Sequence, residues 1–233
     1  MEGLLLVDKP AGWTSFDVVK KVRSIVAKAS AVPYKSVKIG HSGTLDPFAT
    51  GLLILLIGKK YTTLSEALLK QDKTYVAEME FGKTSTTGDP EGEIIPSNTA
   101  NIRPDKAELL KTLDKFRGEI NQTPPVYSAI KVNGIRAYKL ARQNKTVELK
   151  QRIVKVYELK LNSYDYPNAE IFTSVSSGAY IRSLVEDIGK SVKVGAYTKN
   201  LRRLSINKYS IDDAYKLDQI NEQTISSMLL TIE

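Results

Sequence analysis

The sequence predicts an α/β fold (α+β) in which strands outnumber helices. Residues 3–7 and 52–57 are compact apolar runs, which is typical of short buried strands. Residues 73–81 (KTYVAEMEF) alternate between apolar and polar side chains, as a half-buried strand does. The segment after Thr14 instead places apolar residues at helical spacing. Together these patterns favour a mixed sheet with helices on its flanks, and we predict one domain spanning residues 1–233.

Further elements follow from periodicity and from turn residues. The helix that begins at Thr14 has Asp17 three positions on, as in a capping box. Short helices are expected at residues 61–70, residues 105–116 and after residue 177. Strands are expected at residues 37–39, 127–132, 152–161, 171–176 and 197–210, and short helices beyond residue 210. Residues 83–100 read as a loop. In the strand at 152–161, we expect Ile153, Tyr157, Leu159 and Leu161 to share one face.

Composition excludes several kinds of chemistry. The chain has no cysteine and one histidine, so disulfides, thiolate metal sites and histidine-based metal sites are not expected. No run approaches the ~20 apolar residues of a membrane span, and the N-terminus lacks a basic leader region. We therefore expect no metal, no membrane contact and a cytoplasmic location. The formal net charge of +8 suits a polyanionic partner, although a merely basic protein would show it too.

Residues 40–51 (GHSGTLDPFATG) form the segment around which the prediction centres. It contains the single histidine, His41, and an aspartate, Asp46, followed by proline. Apolar runs flank it, so it reads as a loop held between two strands, where reactive groups often lie. On spacing alone, a glycine-rich turn whose aspartate bonds its own backbone is the favoured interpretation.

Several motifs together resemble the TruB family of tRNA pseudouridine synthases. They are GHSGTLDPFATGLL from residue 40, KTY from residue 73, QTPPVYSAIKVNGIRAYKLAR from residue 122 and SSGAYIRSLVEDIG from residue 176. The resemblance covers nearly the whole chain. It implies the pseudouridine synthase fold, with a largely antiparallel central sheet and an inserted thumb at about residues 123–150 that folds over RNA.

The resemblance also implies roles for particular residues. Asp46 would be the nucleophile, and Arg182 would pair with it. Tyr75 would stack on the target uracil, with its hydroxyl a candidate for removing the C5 proton. The alternatives are a core aromatic for Tyr75 and, for Arg182, a surface arginine that pairs with Glu186. Substrate-binding residues would be His41, Lys73, Leu201, Tyr127, Lys131 and Tyr180.

The implied reaction converts the T-loop uridine of tRNA, at position 55 in tRNA numbering, into pseudouridine without a cofactor. Family members usually carry a C-terminal RNA-binding (PUA) domain, which the residues after Ser210 are too few to form. We therefore expect a stand-alone monomeric enzyme that contacts the T stem-loop through the thumb and a basic strand with Lys199, Arg202 and Arg203. Competing hypotheses are an RNA-binding protein or tRNA folding chaperone, and the catalytic subunit of a guided complex. For Lys20, Lys21, Arg23 and Lys28, a solvated helix face and a phosphate-contacting face both remain open.

Overall fold

A computed structural model describes residues 1–99, 102–128, 130–132, 134–143 and 147–231. The chain divides into two compact units. The first unit comprises Met1–Tyr75 and Leu201–Glu233, and the second comprises Val76–Asn200. The single-domain assignment stays a prediction.

The described residues form fourteen strands and six α-helices. The strands are β1 (Gly3–Lys9), β2 (Ile39–His41), β3 (Thr50–Ile57), β4 (Lys73–Phe81), β5 (Lys83–Ser85), β6 (Ile94–Pro96), β7 (Gly118–Gln122), β8 (Lys131–Val132), β9 (Ile135–Arg136), β10 (Arg152–Asp165), β11 (Asn168–Val175), β12 (Ala196–Ile206), β13 (Tyr209–Ser210) and β14 (Tyr215–Lys216). The helices are α1 (Ser15–Ala29), α2 (Lys59–Thr62), α3 (Ser65–Leu69), α4 (Lys106–Asp114), α5 (Ala137–Ala141) and α6 (Ile181–Ser191). Three short 3₁₀ segments occupy Tyr34–Ser36, Ile211–Asp213 and Ile225–Met228.

The first unit is built on β3. This strand pairs antiparallel with β1 from the Gly3–Ile57 pair to the Lys9–Gly51 pair, and antiparallel with the short β2. It also pairs parallel with the end of β12, where Thr50 faces Arg202. Strand β14 adds a parallel pair at the other edge of β1. The predicted mixed, largely antiparallel sheet is therefore confirmed.

Apolar residues bury both faces of this sheet. On one face, Leu5, Val7, Leu53 and Leu55 pack against the valines of α1. On the other face, Leu4, Leu6, Leu52 and Ile54 pack with Tyr61 and Ile206. Every side chain from Leu52 to Ile57 is fully buried, which explains why β3 reads as a continuous apolar run rather than an alternating one.

Helix α1 begins where its sequence predicts. The Thr14 side chain accepts from the Asp17 amide while the Asp17 carboxylate accepts from the Thr14 amide, so the capping box is present. Val18, Val19, Val22 and Val26 are buried on the sheet. The polar face of α1 is therefore turned towards solvent.

The second unit contains the order β4–β11–β10–β7. Helix α4 packs on β10 and on α6. The expected face of β10 is wrong: Ile153 and Tyr157 are exposed, whereas Val154, Val156 and Leu159 are buried. A register shift between Val156 and Glu158 explains this, because one extra residue moves the following side chains to the opposite face.

Other elements differ from prediction in detail. The expected loop at residues 83–100 contains the hairpin of β5 and β6. The expected helix at 61–70 is two short helices, α2 and α3. Among the described residues of the segment 127–132, those of β8 are the only ones in a strand. The expected Asn133-Gly134 turn falls partly outside the described residues, although β8 and β9 on either side of it do pair. In the described part of the chain, no helix is long and apolar enough to cross a membrane.

Candidate active site

Residues 42–49 form the loop that carries Asp46, which we call the aspartate loop. His41 lies just before it, as the last residue of β2, and pairs with Leu55 of β3. The Ser42 amide donates to the Ile54 carbonyl at 3.0 Å. The Ala49 amide bonds the Asp46 carbonyl at 3.2 Å, which closes a turn around Asp46 and Pro47. Asp46 itself is half-buried.

The start of α1 and the end of β1 hold one side of the aspartate loop. The Ser15 hydroxyl accepts from the Leu45 amide at 2.9 Å and donates to the Leu45 carbonyl at 3.1 Å. The Pro47 carbonyl accepts from the Gly12 amide at 2.9 Å and from Nζ of Lys9 at 3.2 Å. Lys9 is fully buried and also donates to the carbonyls of Pro10 and Trp13. These bonds fix the backbone on both sides of Asp46.

Arg203 of β12 holds the other side. Its guanidinium is 1% exposed, with Nε 2.7 Å from the Leu52 carbonyl and Nη2 3.2 Å from the Gly43 carbonyl. Gly51 permits this packing, because a Cβ there would lie 2.2 Å from the Arg203 carbonyl oxygen. Its φ of +104° also suits glycine. A charge buried this deeply is tolerated only when such acceptors surround it.

Lys73 of β4 is a second buried cation beside the loop. Its Nζ donates to the carbonyls of Leu69 at 3.0 Å and Gln71 at 2.5 Å. Burial, and secondarily the charge of Arg203, lower the pKa of Lys73 from 10.5 to about 8. A Cβ on Gly43 would lie 3.9 Å from both Lys73 and Arg203, so two cationic side chains approach the aspartate loop at this residue.

In the second unit, Arg182 lies at the start of α6. It is 3% exposed, and its Nη1 contacts the Asp89 carboxylate at 3.0 Å and the Thr87 carbonyl at 2.8 Å. Its Nη2 donates to the Tyr127 carbonyl at 2.8 Å. The surface-arginine interpretation is therefore wrong. The predicted pairing with Asp46 joins residues of different units and stays a prediction.

The remaining predicted residues occupy varied positions. In the first unit, Tyr75 and Leu201 are each 7% exposed. In the second unit, the Tyr127 side chain is half-buried and Lys131 is exposed in β8. Tyr180 is the N-cap residue of α6, and its backbone exchanges two hydrogen bonds with the Gln122 side chain. The Arg152 guanidinium lies 4.8 Å from the centroid of the Tyr180 ring. Their substrate contacts stay predictions.

The structure corrects the expectation that the cations of strand β12 contact RNA. Arg203 is buried and cannot contact a phosphate. Arg202 binds both oxygens of Asp8, at 3.0 and 2.8 Å, and Lys199 pairs with Glu78 at 2.9 Å. The sequence reasoning therefore missed Arg203 as a support of the aspartate loop and Asp89 as the partner of Arg182. Asp89 lies in residues 83–100, which the sequence analysis read as a loop.

Comparisons with known proteins identify the family and the fold of the chain. The family model described as "TruB family pseudouridylate synthase (N terminal domain)" matches residues 31–181. The tRNA pseudouridine synthase B of Aquifex aeolicus (strain VF5) is 44% identical over 94% of this chain and 73% of its own length. The enzyme of the same name from Chlamydia felis (strain Fe/C-56) is 41% identical over 91% of this chain and 85% of its own length.

A solved structure, "Crystal Structure of a Cbf5-Nop10-Gar1 Complex", shares the fold with a TM-score of 0.65 and 28% identity. It is matched over 93% of this chain, which spans about half (52%) of the matched chain's length. The fold and the aspartate loop thus define the class, that of the pseudouridine synthases. Within that class, the chain belongs to the TruB family of pseudouridylate synthases.

The lowered pKa of Lys73 predicts a pH dependence of stability. Between pH 8 and 10.5, the folded state holds fewer protons on this amine than the unfolded state, so the free energy of unfolding rises with pH there. The contribution is complete above pH 10.5 and is lost as the pH falls through about 8. Urea denaturation at several pH values from 7 to 9.5 should show a rise, of at most about 1.4 kcal/mol per pH unit, that is absent in Lys73→Met. Lys70→Met, which alters an exposed lysine, should keep the rise, and a rise that survives in Lys73→Met would refute this assignment.

The Arg182–Asp89 pair predicts a large effect on stability. Asp89→Asn keeps the side-chain shape but removes the carboxylate from a buried guanidinium, which should cost about 3 kcal/mol or more. The matched control is Asp114→Asn, which breaks the exposed pair with Arg117 and should cost less than about 1 kcal/mol. Chemical denaturation measures both. Equal losses in the two variants would mean that burial does not strengthen the Asp89 pair.

Proposed function

We propose that this protein is a tRNA pseudouridine synthase that isomerises the T-loop uridine at position 55 of tRNA, with Asp46 as the nucleophile. The observation that carries the proposal is the aspartate loop, bonded on both sides by buried groups, in a chain so similar to enzymes named tRNA pseudouridine synthase B. Its sequence from Gly40 to Leu53 also resembles the signature of that family.

The reaction rearranges one nucleoside without oxidation. The bond between C1′ of the ribose and N1 of uracil breaks, and a bond between C1′ and C5 forms. The C5 proton is lost and N1 gains a proton, so atoms and electrons balance within the substrate and one proton exchange. The reaction requires a carboxylate held against a base that has left the RNA stack. Attack of Asp46 on C6 of uracil, attack on C1′, and abstraction of a ribose proton are three routes that all use this placement.

The electrostatics of the first unit support Asp46 in this role. Lys73 and Arg203 both approach the aspartate loop at Gly43, and buried cations favour negative charge nearby. The backbone bonds of Leu45, Pro47 and Ala49 leave the loop little freedom. The nucleophile is therefore positioned before the substrate arrives, which saves the entropic cost of ordering it during the reaction.

The other predicted residues act on the flipped nucleotide. In this proposal Arg182 pairs with Asp46, since a guanidinium stays charged and can hold a carboxylate by two parallel bonds. Tyr75 stacks on the uracil, Leu201 packs beside it, and His41 occupies the gap that the nucleotide leaves. Lys73, Tyr127, Lys131 and Tyr180 complete the contacts with the RNA.

The test is pseudouridine mapping on an unmodified tRNA transcript by carbodiimide-dependent primer extension. We expect a stop one nucleotide on the 3′ side of position 55 with the wild-type protein. Asp46→Asn should lower turnover by at least about a thousandfold, which corresponds to ~4 kcal/mol of transition-state stabilisation, because an amide is not a nucleophile.

Binding of the same transcript by Asp46→Asn serves as the control and should stay near the wild-type level. Modification at another position would refute the choice of uridine. Residual turnover above one part in a thousand would remove Asp46 from the nucleophilic role. Tight binding with no product from the wild-type protein would instead support the chaperone hypothesis.

A further inference from the structure

Helix α1 and the residues that flank it present aromatic side chains beside the cations of the helix. Phe16, Trp13 and Tyr34 are 55%, 36% and 42% exposed. Each has a cation above its ring: Lys20 lies 4.7 Å from the Phe16 centroid, Lys21 lies 5.6 Å from that of Trp13, and Arg23 lies 5.4 Å from that of Tyr34. We call these six residues the α1 face.

The α1 face is strongly positive. From residue 13 to residue 38, six lysines and arginines accompany one carboxylate, Asp17. That carboxylate is bound to Thr14 and lies 3.3 Å from Lys20. Lys28, at the far end of the helix, pairs with Glu222. The charge of this face therefore remains largely available to a polyanion.

A pocket continues the α1 face at the N-terminal end of the helix. Its volume is about 390 Å³, which is in the range that holds a small ligand. The walls include Trp13, Lys21, Thr50, Arg202 and Lys216. Two carboxylates also line it, Asp8 and Asp218. Because Arg202 is paired with Asp8, Lys21 and Lys216 are the cations of this pocket that we assign to a phosphate. An aromatic ring beside several cations is the arrangement that stacks a base and binds its phosphate.

The pocket is distinct from the predicted uracil contacts. Leu201 and Arg202 are consecutive in β12, so their side chains point to opposite faces of the strand. Arg202 lines the pocket, whereas Leu201 is expected beside the target base. The two regions are nevertheless connected, because Gly12 and Ser15, at the start of α1, bond the aspartate loop directly.

We propose that the α1 face and its pocket bind nucleotides of the substrate RNA that flank the one being isomerised. The proposal rests on the proposed function, since it takes RNA as the substrate. A membrane surface suits this helix less well, because its broad apolar face is already buried against the sheet. The residues left outside are aromatic rings and cations, and proteins that bind single-stranded nucleic acid use these two kinds of side chain to stack bases and attract phosphates.

The first test uses Trp13, the only tryptophan in the chain. Its fluorescence and its quenching by acrylamide report on this surface alone. Addition of unmodified tRNA transcript to Asp46→Asn, which removes turnover, should reduce acrylamide quenching at least twofold. Unchanged quenching at saturating RNA would overturn the proposal. Shielding of Trp13 by phosphatidylglycerol vesicles but not by tRNA would overturn it in favour of a membrane surface.

The second test compares two triple variants of equal charge. Lys20→Gln, Lys21→Gln and Arg23→Gln together remove three cations from α1, whereas Lys106→Gln, Lys111→Gln and Lys115→Gln remove three exposed cations near α4. Lys20 and the three lysines near α4 are exposed, whereas Lys21 and Arg23 are half-buried and Nη2 of Arg23 donates to the Ile39 carbonyl at 3.4 Å. Thermal unfolding therefore verifies that both variants fold. Binding to fluorescently labelled tRNA is then measured across a range of KCl concentrations.

The α1 variant should bind at least tenfold more weakly at 0.1 M KCl. Its slope of log K against log salt should be shallower by about 2, since each lost phosphate contact removes 0.7 to 0.9. The α4 variant should differ little from the unsubstituted protein. Equal behaviour of the two variants would overturn the proposal. If mapping shows pseudouridine while the two variants behave equally, the proposed function stands and the role of the α1 face fails.

If mapping shows no pseudouridine but Trp13 is shielded and the salt slopes of the two variants differ, the α1 face binds RNA and the proposed function fails.

Discussion

The buried guanidinium of Arg203 is the interaction on which the candidate site depends. It donates to Gly43, at one end of the aspartate loop, and to Leu52, just beyond the other end. A buried arginine charge is costly unless carbonyl or carboxylate oxygens surround it, so strand β12, strand β3 and the loop must keep one relative placement. Gly51 contributes by letting the backbone of β12 approach where a side chain would clash. The position of Asp46 thus follows from the requirement to satisfy one charge.

The cationic side chains of the protein fall into two groups: buried ones that support the fold and exposed ones that a partner can contact. Among the described residues, the buried charged side chains are Lys9, Lys73, Asp89, Arg182 and Arg203, of which four are cations. Each of these cations donates to backbone carbonyls, so each stabilises the backbone of a loop or a helix end in the protein interior. The exposed cations of α1 are available to a partner instead. Net charge alone does not distinguish the two groups, because a buried lysine or arginine contributes to it as much as an exposed one.

The sequence predicted much of the fold through local patterns. The capping box of α1, the apolar run of β3 and the alternation of β4 all depend on residues close together in the chain. Predictions failed where a distant contact decided the outcome. The bulge in β10 depends on its pairing with β11, so alternation alone assigned Ile153 and Tyr157 to the wrong face. Arg203 looked like an RNA contact because its acceptors lie about 150 residues away. Resemblance to a family, rather than periodicity, singled out Asp46, Tyr75 and Arg182.

The most direct test of this account is native-state hydrogen exchange of the aspartate loop in Arg203→Met. The amides of Leu45 and Ala49 are hydrogen-bonded within the loop and its supports, whereas that of Leu5 lies in the core sheet. Loss of the guanidinium should let the loop open locally, so Leu45 and Ala49 should exchange at least tenfold faster relative to Leu5 than in the wild-type protein. If all three amides accelerate by the same factor, Arg203 stabilises the unit as a whole. The claim that it specifically holds the aspartate loop would then be contradicted.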